Sequence, residues 1–408
     1  MKNARRRPPR RSWQAGLRPF LARFVWARFA PGRRHRAARA FMNTHAMAIE
    51  RFMRDVYPRL AEPGEVVADG GSYHIGAFRE AADHYGLALR RLDAAHFELL
   101  RDGVVIGRLN GMLTDLVTRE AVETCANKAR TIALLRAAGV PVPRQRQFLS
   151  RKGDKALAFA ARRDFAVVVK PCYGAGGRGV STAIADADDF RRAWAHAVDN
   201  LPPKRAQLVV VESRCPGMDI RAVVIDGRFS CAATRLPAHV IGDGRSTLAD
   251  LVAAKNERKA RHAEHGRYPI RLDTRTTDRL AVAGLSPATV LAAGRLVVLA
   301  EVNNIHHGGE SCDITDVVAP RIRAVAEQAA RAVPGLAVVG VDLLVTSLDD
   351  DAGITVLEMN PRANLSVHHA PYRGTPRNPA RDIVRVMLER AAAGDGTGPP
   401  LEPRDRRV

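Results

Sequence analysis

The spacing of apolar residues predicts a chain in which helices and strands are mixed throughout its length. Apolar positions at helical spacing predict helices over 42–60, 77–85, 119–138, 186–198, 247–256, 320–331 and 378–390. Short apolar runs between turn residues predict strands over 66–71, 87–92, 104–109, 146–149, 166–170, 207–212, 221–225, 228–233, 295–301, 340–345 and 353–358. The dipeptide Asp226-Gly227 separates two of these strands and predicts a tight hairpin. The predicted fold class is therefore α/β, of the α+β kind.

The length of the chain predicts several packed units. A chain of 408 residues is too long for one ordinary hydrophobic core, so two or three subdomains are expected. We expect a basic extension over 1–41 and a small α/β domain over 42–118. A first subdomain with a glycine-rich loop would cover 119–211, and a second subdomain over 212–390 would hold an insertion at 237–310. Residues 391–408 lack periodicity, which predicts a disordered tail.

Positive charge is concentrated at the start of the chain. The first 40 residues contain 13 of the 64 Lys and Arg residues and no Asp or Glu, in a protein of net charge +21. Such an arm could contact nucleic acid or an anionic surface. The simpler interpretation is a solvated extension, or a start codon at Met42 or Met47. The rest of the chain is moderately basic, which suits an enzyme that binds a nucleotide and an acidic co-substrate.

Neither a targeting segment nor a membrane segment is expected. The apolar stretch 20–29 is interrupted by Arg23 and Arg28, whereas a secretory signal needs an unbroken apolar run. No stretch approaches the roughly 20 apolar residues of a membrane span. The five cysteines are scattered and never spaced as C-x-x-C, so neither a disulfide framework nor a zinc site is predicted. The expected location is a reducing cytoplasm.

A lysine and a glycine-rich loop predict a phosphate-binding hairpin. Lys170 ends an apolar strand, and the loop that follows contains Gly174, Gly176, Gly177 and Gly179. Glycines allow backbone amides to turn toward phosphate oxygens. The loop has no Walker sequence, and no helix opens after it as a dinucleotide-binding loop requires. The alternatives are a strand-end lysine beside a flexible turn.

Two further segments predict contacts to the rest of a nucleotide. Lys128 precedes Lys170 by 42 residues, and Glu212 follows it by 42. Two lysines from separate elements would neutralise phosphates from two sides. Glu212 ends an apolar strand that leads into a linker able to bond the adenine edge, and Asp219 could accept from ribose hydroxyls. The alternative for each carboxylate is an ordinary surface position.

Two adjacent strands near the end of the chain predict a metal site. Asp342 lies within one apolar run, while Glu358 and Asn360 lie two residues apart in the next and so share a face. Acidic residues within apolar strands are costly unless they are paired or bound to metal. Oxygen ligands of this kind suit Mg²⁺, which also takes water and phosphate oxygens. The alternative is a set of buried polar groups bonded to backbone.

The order of these segments resembles the ATP-grasp superfamily of carboxylate–amine ligases, over about 119–390. Two further stretches, 236–248 and 303–316, are similar to the ATP-grasp module of cyanophycin synthetases and of the bifunctional glutathione synthetases. The resemblance implies two α+β subdomains that clasp ATP, preceded here by the small α/β domain. Polymer synthesis of the cyanophycin kind is not expected, because those enzymes carry a further ligase domain with a Walker loop.

The resemblance also implies a role for individual residues. ATP would be held by Lys128, Lys170, Glu212, Asp219, the linker residues Ser213 and Cys215, and the loop glycines Gly174, Gly176, Gly177 and Gly179. Two Mg²⁺ ions, with Mn²⁺ as the alternative, would be held by Asp342, Glu358 and Asn360. Arg221 and Arg235, with Lys170, would serve the chemical step. The substrate would meet His307, Gly308, Gly309 and Asp313. Arg362 stands where the relatives differ among themselves, so it could set the specificity for the carboxylate, with an ordinary surface arginine as the alternative.

The expected activity is formation of an amide or peptide bond through an acyl phosphate. The substrates would be an amino acid or a peptide and an amine, and the resemblance implies a homo-oligomer. One alternative is an ATP-grasp kinase or carboxylase that acts on another acceptor. A second alternative is a nucleic-acid or membrane-surface binder that acts through residues 1–41, and a third is a nucleotide-binding regulator without turnover.

Overall fold

The computed structural model describes residues 47–62, 73–163, 166–182, 184–262, 264–300, 303 and 305–394. The predicted strand at 66–71, the basic extension at 1–41 and residues 395–408 of the predicted tail lie outside the described residues. Among the described helices, none combines the length and the apolar character that a bilayer crossing requires.

The first unit is an antiparallel meander covered by two helices. Helix α1 occupies 47–55, and α2 is Tyr73–His84. Four strands follow in the order β1-β2-β3-β4: Ala88–Arg91, His96–Arg101, Val104–Asn110 and Leu113–Thr114. The strand β2 is absent from the prediction because Glu98 interrupts its apolar run. The carboxylate is nevertheless accommodated in the sheet, since it pairs with Arg90 at 2.5 Å and with Arg108 at 3.4 Å.

The single helix predicted over 119–138 is wrong, because the chain forms two helices there. Helix α3 is Arg119–Ala126 and α4 is Lys128–Ala137. Asn127 separates them with φ −94° and ψ 95°, and its side chain accepts the Arg130 N–H at 3.0 Å. Asn127 therefore ends one helix and caps the next, and a continuous apolar pattern does not reveal such a break.

A three-stranded sheet follows, in the order β5-β7-β6. Its strands are β5 (Gln145–Leu149), β6 (Val167–Pro171) and β7 (Leu208–Ser213), all antiparallel. Helices α5 (Gly153–Ala161) and α6 (Ala187–Asp199) pack on it and enclose a separate core that includes Phe148, Phe190 and Val211. Asp186 caps α6, as a prediction of a helix from 186 anticipates. The helix α5 was not predicted.

Seven further strands complete the sheets: β8 Met218–Ile225, β9 Arg228–Leu236, β10 His239–Ile241, β11 Leu296–Val298, β12 Glu310–Asp313, β13 Val338–Val345 and β14 Ile354–Asn360. Five of them form an antiparallel sheet in the order β12-β9-β8-β13-β14, while β10 pairs with β11. The predicted hairpin between β8 and β9 is confirmed. Asp226 and Gly227 take φ of 49° and 73°, the positive values that a tight two-residue hairpin turn needs.

The insertion between β9 and β12 has a core of its own. Helix α7 (Leu248–Ala260) begins at a reciprocal cap between Thr247 and Asp250, and α8 is Thr274–Val282. Val240, Leu248, Leu280 and Val297 belong to this small core. The predicted helix at 247–256 is therefore one turn short, and α8 was not predicted.

Three helices cover the five-stranded sheet and its surroundings: α9 Pro320–Arg331, α10 Ser366–His369 and α11 Pro379–Ala392. Proline stands at the first position of α9 and of α11, where its missing N–H costs no helical bond. The main core joins residues of the meander, of this sheet and of α9 and α11. The five-stranded sheet is thus held rigidly, with all eight residues of β8 buried.

Candidate functional site

One face of the five-stranded sheet carries a row of charged side chains. The register places Arg221 of β8 opposite Asp342 of β13, and Asp342 opposite Glu358 of β14. On the other side Arg221 faces Ala233, which faces Asp313 of β12. Opposite residues in antiparallel strands share a face. The sheet therefore collects onto one face four charged side chains that lie far apart in sequence.

Asp342, in the middle of this row, accepts hydrogen bonds on both of its carboxylate oxygens. Arg221 donates through Nε to Oδ1 and through Nη2 to Oδ2 at 2.9 Å, and Asn360 Nδ2 donates to Oδ2 at 3.0 Å. Burial acts to raise the pKa of Asp342, but the charges of Arg221 and Arg235 outweigh it and lower that pKa. Asp342 is therefore ionised and oriented before any ligand is present.

Arg235 and Asp219 form a second pair two residues along the same face. Arg235 donates to Asp219 at 2.7 and 2.8 Å, and its Nη2 lies 3.5 Å from Asp342 Oδ1. This bidentate geometry occupies both oxygens of Asp219. In this arrangement the predicted ribose contact of Asp219 would require the Arg235 pair to loosen.

Lys170 and Glu212 are diagonal neighbours on adjacent strands of the three-stranded sheet. Their side chains are 8% and 5% exposed, and Lys170 Nζ donates to Glu212 Oε1 at 2.6 Å. Glu212 Oε2 is buried without a hydrogen-bond partner. Buried carboxylate oxygens are rarely left unpaired. This atom is consequently an acceptor that a bound molecule with an N–H group would satisfy.

Lys128 lies between the three-stranded sheet and the five-stranded sheet. It is the first residue of α4, directly after the break at Asn127, and only 9% of it is exposed. Its Nζ donates to the Gly174 carbonyl at 2.6 Å and lies 3.9 Å from Glu358 Oε2. Asn127 Nδ2 donates to the Tyr173 hydroxyl at 2.9 Å, which ties the start of α4 to the loop. Lys128 thus lies where the glycine loop approaches the charged row.

The glycine loop has the hairpin geometry that the sequence predicts. Gly174, Gly176, Gly177 and Gly179 all have positive φ, and Val169 bridges Ser181 in antiparallel fashion. The next helix, α6, begins only at Ala187. A Cβ on Gly179 would lie 2.8 Å from atoms of Asn200 and Pro171, so no larger residue fits there. The loop is a glycine-dependent hairpin at the end of β6.

The linker from β7 to β8 is held tightly to its surroundings. Ser213 Oγ accepts the Arg144 N–H at 3.1 Å, and Cys215 lies nearby with Sγ 3.6 Å from the Ser213 carbonyl. Burial raises the pKa of the Cys215 thiol, which therefore stays protonated. Gly217 approaches the Val345 backbone so closely that a Cβ would lie 2.7 Å from its oxygen. The linker joins the two sheets at a fixed point.

The predicted substrate residues lie on three segments: the turn before β12, β12 itself and the loop after β14. His307 is exposed in the short 3₁₀ turn Ile305–His307. Asp313 belongs to the charged row, but Arg377 donates to its Oδ2 at 3.0 Å and Thr315 donates to its Oδ1 at 2.5 Å. Arg362 is partly buried in the loop after β14. The structure therefore shows Asp313 in a bonded, supporting position.

The glycines of this predicted set are fixed by a buried lysine. Lys259 of α7 is fully buried, and its Nζ donates to the carbonyls of Gly308 at 2.7 Å and Gly309 at 3.1 Å. Burial lowers the pKa of Lys259 to about 8. Lys259 of the insertion thereby holds the backbone of Gly308 and Gly309 in place directly before β12.

Several polar residues near the charged face were not predicted to have a role. His368 of α10 is fully buried with both ring nitrogens unpartnered. Burial lowers its pKa to about 3, and the charges of Arg221 and Arg235 add to that effect. His265 approaches Ser311 Oγ at 3.1 Å. In the sequence these histidines carry no signal beyond their residue type, because their neighbours come from distant segments.

The donor set fits a hard divalent cation. Asp342, Glu358 and Asn360 offer two carboxylates and an amide oxygen on one face, which is the chemistry that Mg²⁺ prefers. Among the described residues, no group of three or more His, Cys, Asp or Glu side chains is arranged to hold a metal ion. Any cation held here would therefore need Asn360 and oxygens from a ligand or water to complete its shell.

Comparison with known proteins shows what the chain is similar to. The family model described as carbamoyl-phosphate synthase L chain, ATP binding domain, matches residues 127–212. A cyanophycin synthetase from Trichormus variabilis is 29% identical over 323 residues, which are 78% of this chain and 35% of that protein. The glutathione biosynthesis bifunctional protein GshAB of Enterococcus faecalis is 31% identical over 273 residues, 64% of this chain and 35% of that protein.

A solved structure agrees with these relatives. The bifunctional glutathione synthetase from Pasteurella multocida superposes with a TM-score of 0.59 at 25% identity, over 79% of this chain and 44% of that chain. The chain thus spans about a third of the length of the curated relatives described above, which it matches over 35% of each. The matches confirm the family resemblance and the α+β class predicted from the sequence. The predicted domain boundaries and the roles of single residues stay predictions.

Proposed function

Because the chain belongs to the ATP-grasp superfamily, we propose that it is an ATP-dependent ligase that joins a carboxylate to an amine through an acyl phosphate. The observation that carries this proposal is the position of Lys128. Its ammonium lies against the glycine loop on one side and 3.9 Å from Glu358 on the other. The predicted phosphate-binding and metal-binding groups therefore converge at one point between the two sheets.

The proposed nucleotide site lies along the three-stranded sheet. Lys128 and Lys170 would neutralise phosphates, and the loop amides at 174–179 would donate to phosphate oxygens. The unpartnered Oε2 of Glu212 supports a contact to the adenine amino group, beside the linker residues Ser213 and Cys215. Asp219 would reach the ribose once Arg235 turns away from it.

The proposed metal ligands are Asp342, Glu358 and Asn360. We propose two Mg²⁺ ions, with Mn²⁺ as the alternative, and a bound cation would neutralise charge on the transferring phosphoryl group. The residues of the chain have separate tasks. Arg221 and Arg235 hold Asp342 ionised and oriented, and either guanidinium can stabilise negative charge that develops on the acyl oxygen.

The chemistry requires activation of a poor electrophile. A carboxylate resists attack because its carbonyl is delocalised and its leaving group would be oxide, whereas an acyl phosphate releases phosphate. The amine then attacks the acyl carbon, and no covalent enzyme intermediate is needed. The glycine loop and residues 242–266 would exclude water, which would otherwise hydrolyse the acyl phosphate.

The substrates follow from chemistry and from the relatives. An amino acid or a peptide is the proposed carboxylate donor, and a second amino acid or amine is the acceptor. His307, Gly308, Gly309, Asp313 and Arg362 stay the proposed substrate contacts. We further propose a cytoplasmic homo-oligomer. Contact with nucleic acid or an anionic surface is proposed only for residues 1–41, and salt-dependent binding with and without that arm would measure it.

A product assay tests the proposed function. Purified protein is mixed with ATP, Mg²⁺ and pools of amino acids and dipeptides, and phosphate release is read together with product masses. ADP and phosphate with a mass equal to two substrates minus water would establish a ligase. A phosphorylated or carboxylated product would instead establish the kinase or carboxylase alternative. The Glu358→Gln variant is the matched control for background hydrolysis.

A further inference from the structure

A small cleft lies at the β12 edge of the five-stranded sheet and has no part in the roles described so far. Its volume is about 120 Å³, and it opens between the end of α1, the insertion and the segment after α10. Its aliphatic wall is formed by Val240, Ile241 and Leu251, and its aromatic wall by Tyr57 and Tyr372. Three cations complete it: Lys255, Arg258 and Arg373. Segments that are more than 300 residues apart in the chain therefore form one concave surface.

The positive charges of the cleft exceed the negative charges that balance them. Lys255 Nζ lies 2.6 Å from Glu310, and Arg373 donates to Glu62 at 2.5 Å. Arg258 is exposed, and its described contact is with the neutral hydroxyl of Tyr372. The charge of Arg258 is therefore available to an anion that enters the cleft.

The floor of the cleft is fixed by a buried carboxylate. Glu310 is fully buried, accepts from the Tyr57 hydroxyl at 3.0 Å, and lies 3.7 Å from His239 Nε2. Burial would raise the pKa of Glu310, but Lys255 and His239 outweigh it and lower that pKa to about 2. Lys255 also donates to the His239 carbonyl at 2.8 Å. Since Lys255 and Tyr57 are committed to this network and Glu62 already accepts from Nη2 of Arg373, the groups left to bind a ligand are Arg258 and the unpartnered Nε of Arg373.

The cleft lies at the open edge of the five-stranded sheet, next to β12. Tyr372 donates its backbone N–H to the Ser311 carbonyl at 2.8 Å, and Arg373 bridges Cys312, so this segment extends the open edge of β12. Ser311 lies opposite Arg235 in the neighbouring strand. The Tyr372 ring also contacts the His265 ring at 5.3 Å between centroids. The strand β12 therefore lies between the cleft and β9, which carries Arg235, and the floor residue Glu310 points to the face of the sheet opposite to Arg235.

We propose that this cleft binds the acidic side chain of an amino-acid or peptide substrate. Arg258 and Arg373 would bind its carboxylate, while Val240, Ile241 and Leu251 would pack against its methylene groups. The cavity is far smaller than the several hundred Å³ of a nucleotide-sized pocket, so it takes a side chain and not a whole nucleotide. A bare phosphate would leave the aliphatic wall without a contact. The proposal relies on the proposed ligase function only for the choice of ligand.

Calorimetry without ATP tests the cleft directly. The probes are L-glutamate and L-aspartate, their neutral isosteres L-glutamine and L-asparagine, and inorganic phosphate, all at millimolar concentrations. We expect one acidic amino acid to bind at least about tenfold more tightly than its amide, which corresponds to about 1.4 kcal/mol. Equal binding of acid and amide, absence of acid binding, or equally tight binding of phosphate would each overturn the proposal.

Matched arginine variants locate the binding. Arg258→Gln removes the cleft charge, whereas Arg261→Gln removes an exposed arginine just beyond α7 that does not line the cleft. We expect Arg258→Gln to weaken binding of the acid about tenfold or more and Arg261→Gln to leave it unchanged. Equal effects of the two variants would mean that binding of the acid depends only on the net charge of the protein. The proposal that the cleft is the binding site would then be wrong.

A third variant separates this inference from the proposed function. Glu358→Gln alters the proposed metal site and leaves every cleft residue in place. If Glu358→Gln still binds the acidic amino acid and the parent protein shows no ligation with any pool, the cleft is supported and the ligase function is refuted. Ligation of neutral substrates only would support the ligase function and refute the binding of an acidic side chain in the cleft.

Discussion

The two sheets that meet at Lys128 hold their charges in different ways. In the three-stranded sheet, the loop glycines have positive φ and Glu212 keeps one oxygen unpartnered. In the five-stranded sheet, Asp342 and Asp219 are bonded bidentately by arginines. The first region is built to accept new partners, whereas the second is already ordered. The difference indicates that ligand binding would reorganise the loop and Lys128 more than the charged row.

The largest expected effect comes from the one carboxylate of the row that is not held by arginine. Glu358 is 30% exposed at its side chain, and Lys128 lies 3.9 Å away. We expect Glu358→Gln to reduce ligation by at least about 10³-fold, because a metal ligand supplies several kcal/mol of transition-state stabilisation. Its melting temperature should match the parent protein. Turnover within a few-fold of the parent would remove Glu358 from the site.

Asp342→Ala should also abolish ligation, and it should in addition lower the free energy of unfolding. The substitution leaves the buried Arg221 without its bidentate partner, while Arg235 keeps its pair with Asp219. Breaking a buried ion pair in this way costs about 3–5 kcal/mol of unfolding free energy. Chemical denaturation measures the loss, with Glu358→Gln as control. Equal stability of the two variants would contradict the comparison between the ordered row and the adaptable loop.

In the three-stranded sheet, substitutions of Lys170 and Glu212 should affect ATP affinity and the stability of the fold differently. Lys170→Met should weaken ATP binding about 10–100-fold, as expected for loss of a charge-assisted contact, and should destabilise the fold because Glu212 is left unpaired. The double variant Lys170→Met/Glu212→Gln should recover much of the stability but not the affinity. Calorimetry with ATP and thermal melting give the two readouts. Unchanged ATP affinity in Lys170→Met would exclude its role with phosphate.

The smallest expected effect is a gradual loss of stability in acid, which involves histidines of the meander unit, of the insertion and of the helix α10 near the five-stranded sheet. Burial lowers the pKa of His239 and of His74 to about 4, and that of His265 and His368 to about 3. Below the unfolded value near 6.5, the unfolded chain binds protons that the folded chain does not. Stability should therefore fall as pH drops from about 6.5 toward 4.

Within that window, each such histidine lowers the free energy of unfolding by about 1.4 kcal/mol for every unit by which the pH falls. Glu310 acts in the same direction at lower pH, since its pKa of about 2 means that its contribution is lost between its unfolded value and pH 2. Urea unfolding at a series of pH values measures the slope. A flat profile between pH 6.5 and 4 would show that these histidines are protonated in the folded protein.

The features that the sequence predicted well depend on near neighbours. The Asp226-Gly227 turn, the proline that opens α9 and the strands of Asp342 and Glu358 all follow from residues within a few positions of one another. The glycine hairpin also belongs to this group, because its φ values depend on residue type. The order of these short segments along the chain was enough to predict the family resemblance that the comparisons support.

Only the tertiary structure decided which distant groups became partners. Asn127 breaks a good helical pattern to connect α4 with the loop, Asp219 is engaged by Arg235, and Glu310 pairs with Tyr57 across 253 residues. The cleft beside β12 arises in the same way, from α1, the insertion and the segment after α10. Local backbone preferences act over a few residues, whereas burial of charge selects its partners through the whole packed chain. The sequence therefore determined the elements and the class of chemistry, and packing determined which charges are paired and which remain available to a ligand.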